Sequence, residues 1–480
     1  MLIALAAAFT SSIQDPDFWW HLRTGYWMLE NHRLPSHDLY TYTVGGHAWT
    51  DHEYLTEVLM AYLNSWGGLT LISLVFGVLT MLGFAFLYRT AQVGRRPYVI
   101  AGLGLALGGL AGAPIWGPRA QMITFALTCL ELYWIASYLA GRSRSIYYLP
   151  LVVALWANLH GGFVIAFVLL GIAISAEVAD WVLERDETRR VAHRRRVRTL
   201  GQVLLISLVA VLATPHGLSV YTNPIETLTS PAQRRLIIEW FSPDFHQLVI
   251  APFLAMIVLV LVGFAFRRPS TYQLLLTVAV LVLSLESARN IAIFVAATTP
   301  ILIETWSGIW EDLSAARGWS LSSSSPPSAL LRAVTVVALV VIAGAVLFRI
   351  GTSLGKQPAD TSSNYPVAAA DFLASHPEIG TRMYNQYGWG GYLANRFYPD
   401  PNRRVFIFGE ASVMGDSFLQ QYQDVQTLRS NWQQILDRYQ VDYVVYNRHE
   451  ALTNVLEALP DKWDCSVYQD SQAEICVRKK

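Results

Sequence analysis

Leu248-Val249-Ile250-Ala251-Pro252-Phe253-Leu254-Ala255-Met256-Ile257-Val258-Leu259-Val260-Leu261-Val262-Gly263-Phe264-Ala265-Phe266 contains no charged or amide side chain and stops on Arg267-Arg268. An α-helix needs about 20 apolar residues to cross the hydrocarbon of a bilayer, so this stretch reads as a membrane span closed by a basic pair. Similar runs occupy Leu69–Tyr88, Tyr98–Ala113, Met122–Ala140, Tyr147–Leu159, Phe163–Val182, Val203–Ala213, Tyr272–Leu285, Ile291–Ile303 and Ala329–Ile350. Met1–Phe9 is apolar but too short to span alone and lacks the basic start of a signal peptide. It reads as a first span that is truncated or begins upstream of this methionine, which brings the expectation to about eleven spans.

Composition agrees. Hydrophobic residues make up 53% of the 480 and charged ones 15%, against about a quarter charged in soluble chains; mean hydropathy is +0.34. Thirty-five basic and thirty-five acidic residues cancel, so nothing suggests nucleic acid as a partner. Three cysteines exclude a disulfide framework and a multi-cysteine zinc or iron–sulfur site. Sixteen tryptophans and twenty-three tyrosines suit long membrane–water boundaries, where such rings collect. The fold class is therefore a polytopic α-helical membrane protein.

Lys and Arg favour the cytoplasmic side in short loops. Alternate loops carry Arg95 and Arg96, then Arg142 and Arg144, then Arg185, Arg189, Arg190, Arg194, Arg195, Arg196 and Arg198, then Arg267 and Arg268. This pattern puts the N-terminus in the cytoplasm and makes residues 12–68, the loop Pro215–Gln247 and everything after Gly351 extracytoplasmic. Ser320–Ser328, with Pro326 and Pro327, reads as a cytoplasmic linker before the last span. The expected division is a transmembrane domain over 1–350 and an extracytoplasmic soluble α/β domain over 351–480. In the latter, helices are expected at Pro366–Ser375, Ser417–Tyr439 and Ala451–Leu459, and strands at Arg404–Ile407 and Asp442–Tyr446. Cys465–Tyr468 and Glu474–Val477 form a hairpin turning at Asp470-Ser471. Its two cysteines read equally well as a disulfide or as reduced core residues, and Cys129 reads as packing within a span.

The candidate chemistry concentrates in the first outer loop. Asp15-Pro16-Asp17-Phe18-Trp19-Trp20-His21-Leu22-Arg23 reads as a helix start, with Pro16 at its head and Asp17 one turn from His21. Trp19 and Trp20 are expected at the membrane interface. Capping accounts for one of the two aspartates; the other, with His21, suits a general base or a ligand to a hard divalent ion. His37-Asp38 and Trp49-Thr50-Asp51-His52-Glu53 follow, with Glu57 a turn later; Glu53 and Glu57 read as a solvated helix face. Further outer-side polar groups are Arg119, Asn158-Leu159-His160, His216, Glu239-Trp240 and Arg289-Asn290. Singly these are anchors or interhelical contacts; together they describe a rim for an anionic lipid headgroup, since the arginine fork suits phosphate oxygens. Tyr384-Asn385-Gln386-Tyr387-Gly388-Trp389-Gly390-Gly391-Tyr392 reads either as a sugar-binding surface or as a tight turn into a docking helix.

The segment Asp15–Arg23, followed by Leu34-Pro35 and Asp38-Leu39-Tyr40, resembles the first loop of the GT-C superfamily of integral-membrane glycosyltransferases, in its oligosaccharyltransferase and bacterial mannosyltransferase-like groups. Asn158–Gly162, Glu239-Trp240, Arg289-Asn290 and Tyr384–Tyr392 are similar to the bacterial group's pattern. The chain departs from the family in having no Asp or Glu in Gly112–Gln121, and Phe408-Gly409-Glu410 where an acidic-Gly-Arg triplet is usual.

The resemblance implies transfer of a hexose or pentose from a polyprenyl-phosphate-linked donor to a glycan, lipid or protein acceptor, at the outer face of the inner (plasma) membrane in a bacterial cell envelope. It assigns the catalytic role to Asp17, with Asp15 and His21 beside it. Lipid phosphate would fall to Arg119, His160, Arg289 and Asn290, and acceptor or sugar contact to Glu239, Trp240, Tyr387 and Trp389. No metal ligand set is assigned, although the family admits a divalent cation, Mg or Mn. The alternative is a non-catalytic GT-C-like structural subunit with partner subunits in a larger membrane complex. A transporter ranks third, because the chain has no inverted repeat.

Overall fold

A computed structural model describes residues 13–92, 98–318 and 329–479. Met1–Phe9, Arg95-Arg96 and Ser320–Ser328 lie outside the described residues. Five helices among the rest are long and apolar enough to cross a membrane: Tyr54–Ala91, Gln121–Leu139, Gly161–Leu183, Leu248–Phe266 and Ala288–Arg317. Three shorter apolar helices, Tyr98–Ala111, Ser145–Trp156 and Thr271–Glu286, accompany them. The chain is a mostly helical, multi-pass membrane protein with a small C-terminal sheet. The apolar run at Val203–Ala213 is the end of one longer helix, Glu187–Ala210, whose first turns carry the arginine cluster. Asp186 caps that helix by accepting from the Arg189 N–H at 3.0 Å.

Tyr54–Ala91 is not one rod. A straight helix of its 38 residues would run about 57 Å, well beyond the hydrocarbon thickness. Gly67 and Gly68 leave helical geometry, Gly68 at φ 64° and ψ −166°, a conformation that only glycine adopts without strain. The break separates a polar start that carries Glu57 from the apolar run beginning at Leu69.

The chain forms two compact units. Among the described residues, one comprises Ser73–Val220 and Glu239–Leu354; the other comprises the residues from Ile13 to Ile72, Tyr221–Ile238 and those from Gly355 onward. In the helical unit every residue from Ile291 to Ile303 is buried. Glycines let a neighbouring helix approach this element: a Cβ on Gly104 would lie 2.5 Å from Ile303, and one on Gly108 2.6 Å from Thr299.

The second unit is built on four strands, β1 (Met383–Asn385), β2 (Tyr443–Asn447), β3 (Trp463–Gln469) and β4 (Ala473–Arg478), in the order β1-β2-β4-β3. β1 and β2 are parallel, and the other pairs antiparallel. Sequence reading missed β1, because two of its three residues sit inside Tyr384–Tyr392, read as a sugar-binding surface or a turn. Conversely, Arg404–Ile407 is not a sheet strand. Val405 makes one parallel bridge to Thr41, while the Phe406 and Ile407 N–H groups donate to Asn385 Oδ1 at 2.8 and 3.3 Å. Asn385 Nδ2 returns a bond to Ile407 O at 2.9 Å. The helix expected over Ser417–Tyr439 is two, Asp416–Gln426 and Trp432–Arg438, separated at Leu428 in the left-handed region at φ 54°.

The first-loop helix Phe18–Asn31 belongs to this unit and packs on Gly390–Phe397. A Cβ on Gly391 would lie 2.7 Å from Pro16 O. Trp19 and Trp20 are accordingly buried, at 7% and 3% exposure, and not at a membrane interface. Trp19 meets Tyr365 and Tyr392, and Trp20 meets Phe408 and Trp49.

Cys465 and Cys476 are bonded to each other. Closing a loop of sequence separation 11 restricts the unfolded chain by about 2–3 kcal/mol. Replacing both cysteines by Ala is expected to lower the denaturation midpoint of the purified protein accordingly. An unchanged midpoint would count against a stabilising role.

Candidate functional site

Two polar constellations, one in each unit, hold the candidate residues. In the second unit the helix beginning at Phe18 needs its first N–H groups satisfied. Asp15 does this: its Oδ1 accepts from Asp17 N at 3.0 Å and its carbonyl from Phe18 N at 3.2 Å. Asp15 is thus the capping acid. The Asp17 carboxylate, half-buried at the N-cap position, makes no cap bond; Oδ1 accepts from Trp20 Nε1 at 3.1 Å. Asp17 Oδ1 also lies where Gly409 would carry a side chain, 1.6 Å from the ideal Cβ position. Tyr387 donates its hydroxyl to Gly409 O at 3.3 Å, so Asp17 and Tyr387 meet at the same glycine.

Asp17 and His21, one turn apart on the helix, both contact Trp20. The His21 ring stacks on Trp20, with centroids 3.6 Å apart. Its Nδ1 lies 2.7 Å from Glu57 Oε1 and its Nε2 3.5 Å from Glu53 Oε2. Glu57 is wholly buried and Glu53 nearly so, which corrects the reading of both as a solvated face. The reason is tertiary: two carboxylates a turn apart receive one imidazole from a helix 36 residues away. A positional chain results, with the acids fixing His21, His21 supporting Trp20, and Trp20 holding Asp17.

The network extends to Asp51, His52 and Glu410. Asp51 is buried and interacts with the Glu57 carboxyl. Burial pushes the Asp51 carboxyl up, against the opposing effects of Glu57 and His52. Burial likewise raises Glu410, opposed by His52 and by the Ser412 hydroxyl bonded to it. Burial opposes charge on His52, yet the Glu53 bond and the charges of Glu53, Glu410 and Asp51 outweigh it, and the ring is pushed up to about 9 from 6.5. His52 therefore contributes stability that is complete below about pH 6.5 and lost as pH rises through about 9. The unfolding midpoint measured between pH 6 and 10 is expected to fall more steeply for the wild-type protein than for His52→Gln. Parallel curves would remove this role.

Of the remaining first-loop candidates, Asp38 closes a turn by accepting from the Tyr40 and Thr41 N–H groups, and His37 bonds only its neighbour Ser36 among the contacts described. Trp389 is buried, with its indole N–H on Asn364 O at 3.2 Å, and stands as a core residue. Gly390 lies so close to Ile407 O that a Cβ would be 2.0 Å from it. In Tyr384–Tyr392 the tight turn into a packed helix is therefore what the geometry displays.

In the helical unit, Arg119, Glu239, Trp240 and Arg289 come together. Arg119 donates to Glu239 Oε1 at 2.6 Å and to Gln121 at 3.2 Å, and Arg289 lies over the Trp240 ring at 4.7 Å. The backbone keeps the two segments in register, through Ser287 Oγ to Glu239 O and Ala288 N to Phe241 O. Burial opposes ionisation of Glu239, but the charges of Arg119 and Arg289 outweigh it and hold the carboxyl below its usual range. Asn290 bonds Leu283 O. His160 is buried in a separate set: its Nδ1 lies 2.7 Å from the Thr124 hydroxyl and accepts from Gly162 N at 2.9 Å. The proton of the neutral ring therefore sits on Nε2. A Cβ on Gly162 would fall within 2.7 Å of both His160 and Thr124, which accounts for glycine there.

Sequence reading missed Trp20 as the holder of Asp17, Gly409 as its neighbour, and Glu410 as a member of the His52 network. The signal for the last two was present in the Phe408-Gly409-Glu410 triplet, which was read only as a departure from pattern. A hard divalent ion needs several oxygens converging on one point. Here the His21 imidazole lies between Glu53 and Glu57, and Asp17 is turned to Trp20. Among the described residues, the one His/Cys/Asp/Glu trio with converging ligand atoms is Cys465, Glu474 and Cys476, whose sulfurs are consumed in the disulfide. Among the described residues the first-loop donors do not converge as a divalent-ion ligand set.

No protein family and no curated protein matches the chain in sequence. Solved structures do match it in fold. Archaeal oligosaccharyltransferase AglB from Archaeoglobus fulgidus, in complex with an inhibitory peptide and a dolichol-phosphate, aligns with a TM-score of 0.54 at 11% identity, over 93% of this chain and 68% of that one. The A. fulgidus oligosaccharyltransferase tethered to an acceptor peptide containing the NVT sequon aligns at 0.55 and 13%, and its complex with Zn and sulfate at 0.51 and 12%, with the same coverage. At such identities it is the fold that is shared, over nearly the whole chain: the protein has the fold of the archaeal oligosaccharyltransferase.

Proposed function

We propose that this chain is an inverting membrane glycosyltransferase, moving a hexose or pentose from a polyprenyl-phosphate-linked donor to a glycan, lipid or protein acceptor at the outer face of the bacterial inner membrane. The observation that carries the reading is Asp17, a carboxylate at a helix start that is spared from capping and held by Trp20 on a GT-C fold. Asp17 takes the proton of the acceptor hydroxyl as that oxygen attacks the anomeric carbon. Asp15 fixes the helix start, and His21 positions Trp20. Arg119 and Arg289 stabilise the departing lipid phosphate, with Asn290 next to Arg289 in sequence and His160 as a further phosphate contact. Glu239 and Trp240, and Tyr387 beside Asp17, are the sugar or acceptor contacts. The dolichol-phosphate and acceptor peptide of the structural neighbours support a lipid-linked donor and a separate acceptor. The proposal retains about eleven spans, a cytoplasmic N-terminus, a membrane domain over 1–350 and an extracytoplasmic domain over 351–480.

Purified protein incubated with a polyprenyl phosphate is expected to retain the lipid in native mass spectrometry. Arg289→Gln should reduce retention about tenfold, the effect of losing a charge-assisted phosphate contact. Equal retention by Arg289→Gln and the wild type would remove Arg289 from the phosphate site. Lipid retention without transfer from any polyprenyl-linked sugar would favour the structural-subunit alternative.

A further inference from the structure

A second polar cavity lies in the helical unit, away from the residues assigned above. It has a volume of about 470 Å³ and is lined by Arg142, Asp180, Tyr272 and Glu304, with Leu132 and Ile301 among its apolar walls. Helices Gln121–Leu139 and Gly161–Leu183 end beside it and Thr271–Glu286 begins there, so it opens at the level of the arginine-bearing loops. Glu131 precedes Leu132 of the cavity wall. It is completely buried, and neither carboxyl oxygen has a hydrogen-bond partner among the described residues. The Tyr272 hydroxyl is also buried without a partner, and it lies close enough to Glu131 to interact electrostatically. An orphaned carboxyl inside a span is costly and marks a site for something that donates to it.

The other acids indicate what that is. Glu177 already faces His193 at 2.7 Å and Arg196 at 3.4 Å, so its charge is matched. Asp180 faces the neutral Thr271 hydroxyl at 2.5 Å. Glu131 and Asp180 call for a compact cation with several N–H donors, and Tyr272 can accept a further bond from it. A primary ammonium has three donors. Arg142 on the same wall suits a phosphate oxygen, and the leucine and isoleucine walls suit the glycerol and first methylenes of a lipid. The described residues offer no trio of converging metal ligands here, which separates this cavity from a metal site.

We infer that this cavity binds the zwitterionic headgroup of an aminophospholipid, with the ammonium toward Glu131, Tyr272 and Asp180 and the phosphate toward Arg142. The inference is independent of the proposed transferase activity, which uses none of these residues.

The test is native mass spectrometry of the full chain in detergent, titrated with phosphatidylethanolamine and phosphatidylcholine of identical chains. The quaternary ammonium of the latter has no N–H. The wild-type protein is expected to prefer phosphatidylethanolamine about tenfold, the effect of one charge-assisted bond. Glu131→Gln should lose most of that preference. Asp180→Asn, at the polar end of its helix, should reduce it and serves as the readout if Glu131→Gln does not fold. Equal retention of the two lipids by the wild type, or an undiminished preference in Asp180→Asn together with any folded Glu131→Gln, would overturn the site.

Discussion

Asp17→Asn is expected to lower sugar transfer by about 10²- to 10⁴-fold, the usual contribution of a positioned general base, while leaving the fold intact. The side-chain amide is isosteric, and its oxygen can still accept the Trp20 N–H that now reaches Asp17 Oδ1. Only basicity is lost. Asp15→Asn provides the internal control: Asn caps a helix as well as Asp does, so that variant should keep nearly full activity. Transfer of a labelled sugar from a polyprenyl-linked donor, measured for both variants at equal protein, distinguishes the roles of the two aspartates. Undiminished transfer by Asp17→Asn would end the assignment of Asp17 as base.

Gly409→Ala is expected to be nearly as damaging, for a steric reason. The new methyl would lie 1.6 Å from Asp17 Oδ1, 2.7 Å from its Cγ and 3.0 Å from Trp20 Nε1, distances that no relaxation of the methyl itself can relieve. The carboxylate must swing away or the helix start must shift. A misplacement of about 1 Å in a reacting group costs on the order of 10²-fold. Gly409 belongs to the unit that carries Asp17 and lies apart in sequence from Arg119 and Arg289, so polyprenyl-phosphate retention should stay at the wild-type level while transfer falls. Full activity in Gly409→Ala would mean that Asp17 is free to move and that its present position does not matter.

The apolar runs were legible because a span advertises itself locally, in about 20 consecutive residues. The hairpin and β2 were legible for the same reason, since alternation and turn residues are short-range signals. The first-loop network was not. Glu53 and Glu57 stand one turn apart, which suits a solvated face as well as a buried one; the deciding imidazole comes from His21, outside any local window. Trp19 and Trp20 were assigned to the bilayer interface because tryptophan is common there, yet their partners Tyr365, Tyr392 and Phe408 come from the far end of the chain. Glu131 was within reach, as a lone acid inside the run Met122–Ala140, and sequence reading passed over it. Arg119 and Glu239 were both picked out as polar outer-side groups, but their mutual bond spans 120 positions and no spacing rule could supply it.

The Asn385 side chain has a consequence beyond local geometry. By bonding two N–H groups and one carbonyl of Phe406-Ile407, it imitates a peptide unit and occupies the margin of the sheet where β1 would otherwise present unpaired backbone. Strand addition from another molecule, the usual route to sheet-mediated aggregation, is thereby confined to the β3 margin. There the ladder with β4 is irregular between Asp464 and Tyr468, and an irregular margin is a poor template for an incoming strand. The domain would in this way resist self-association through its own sheet.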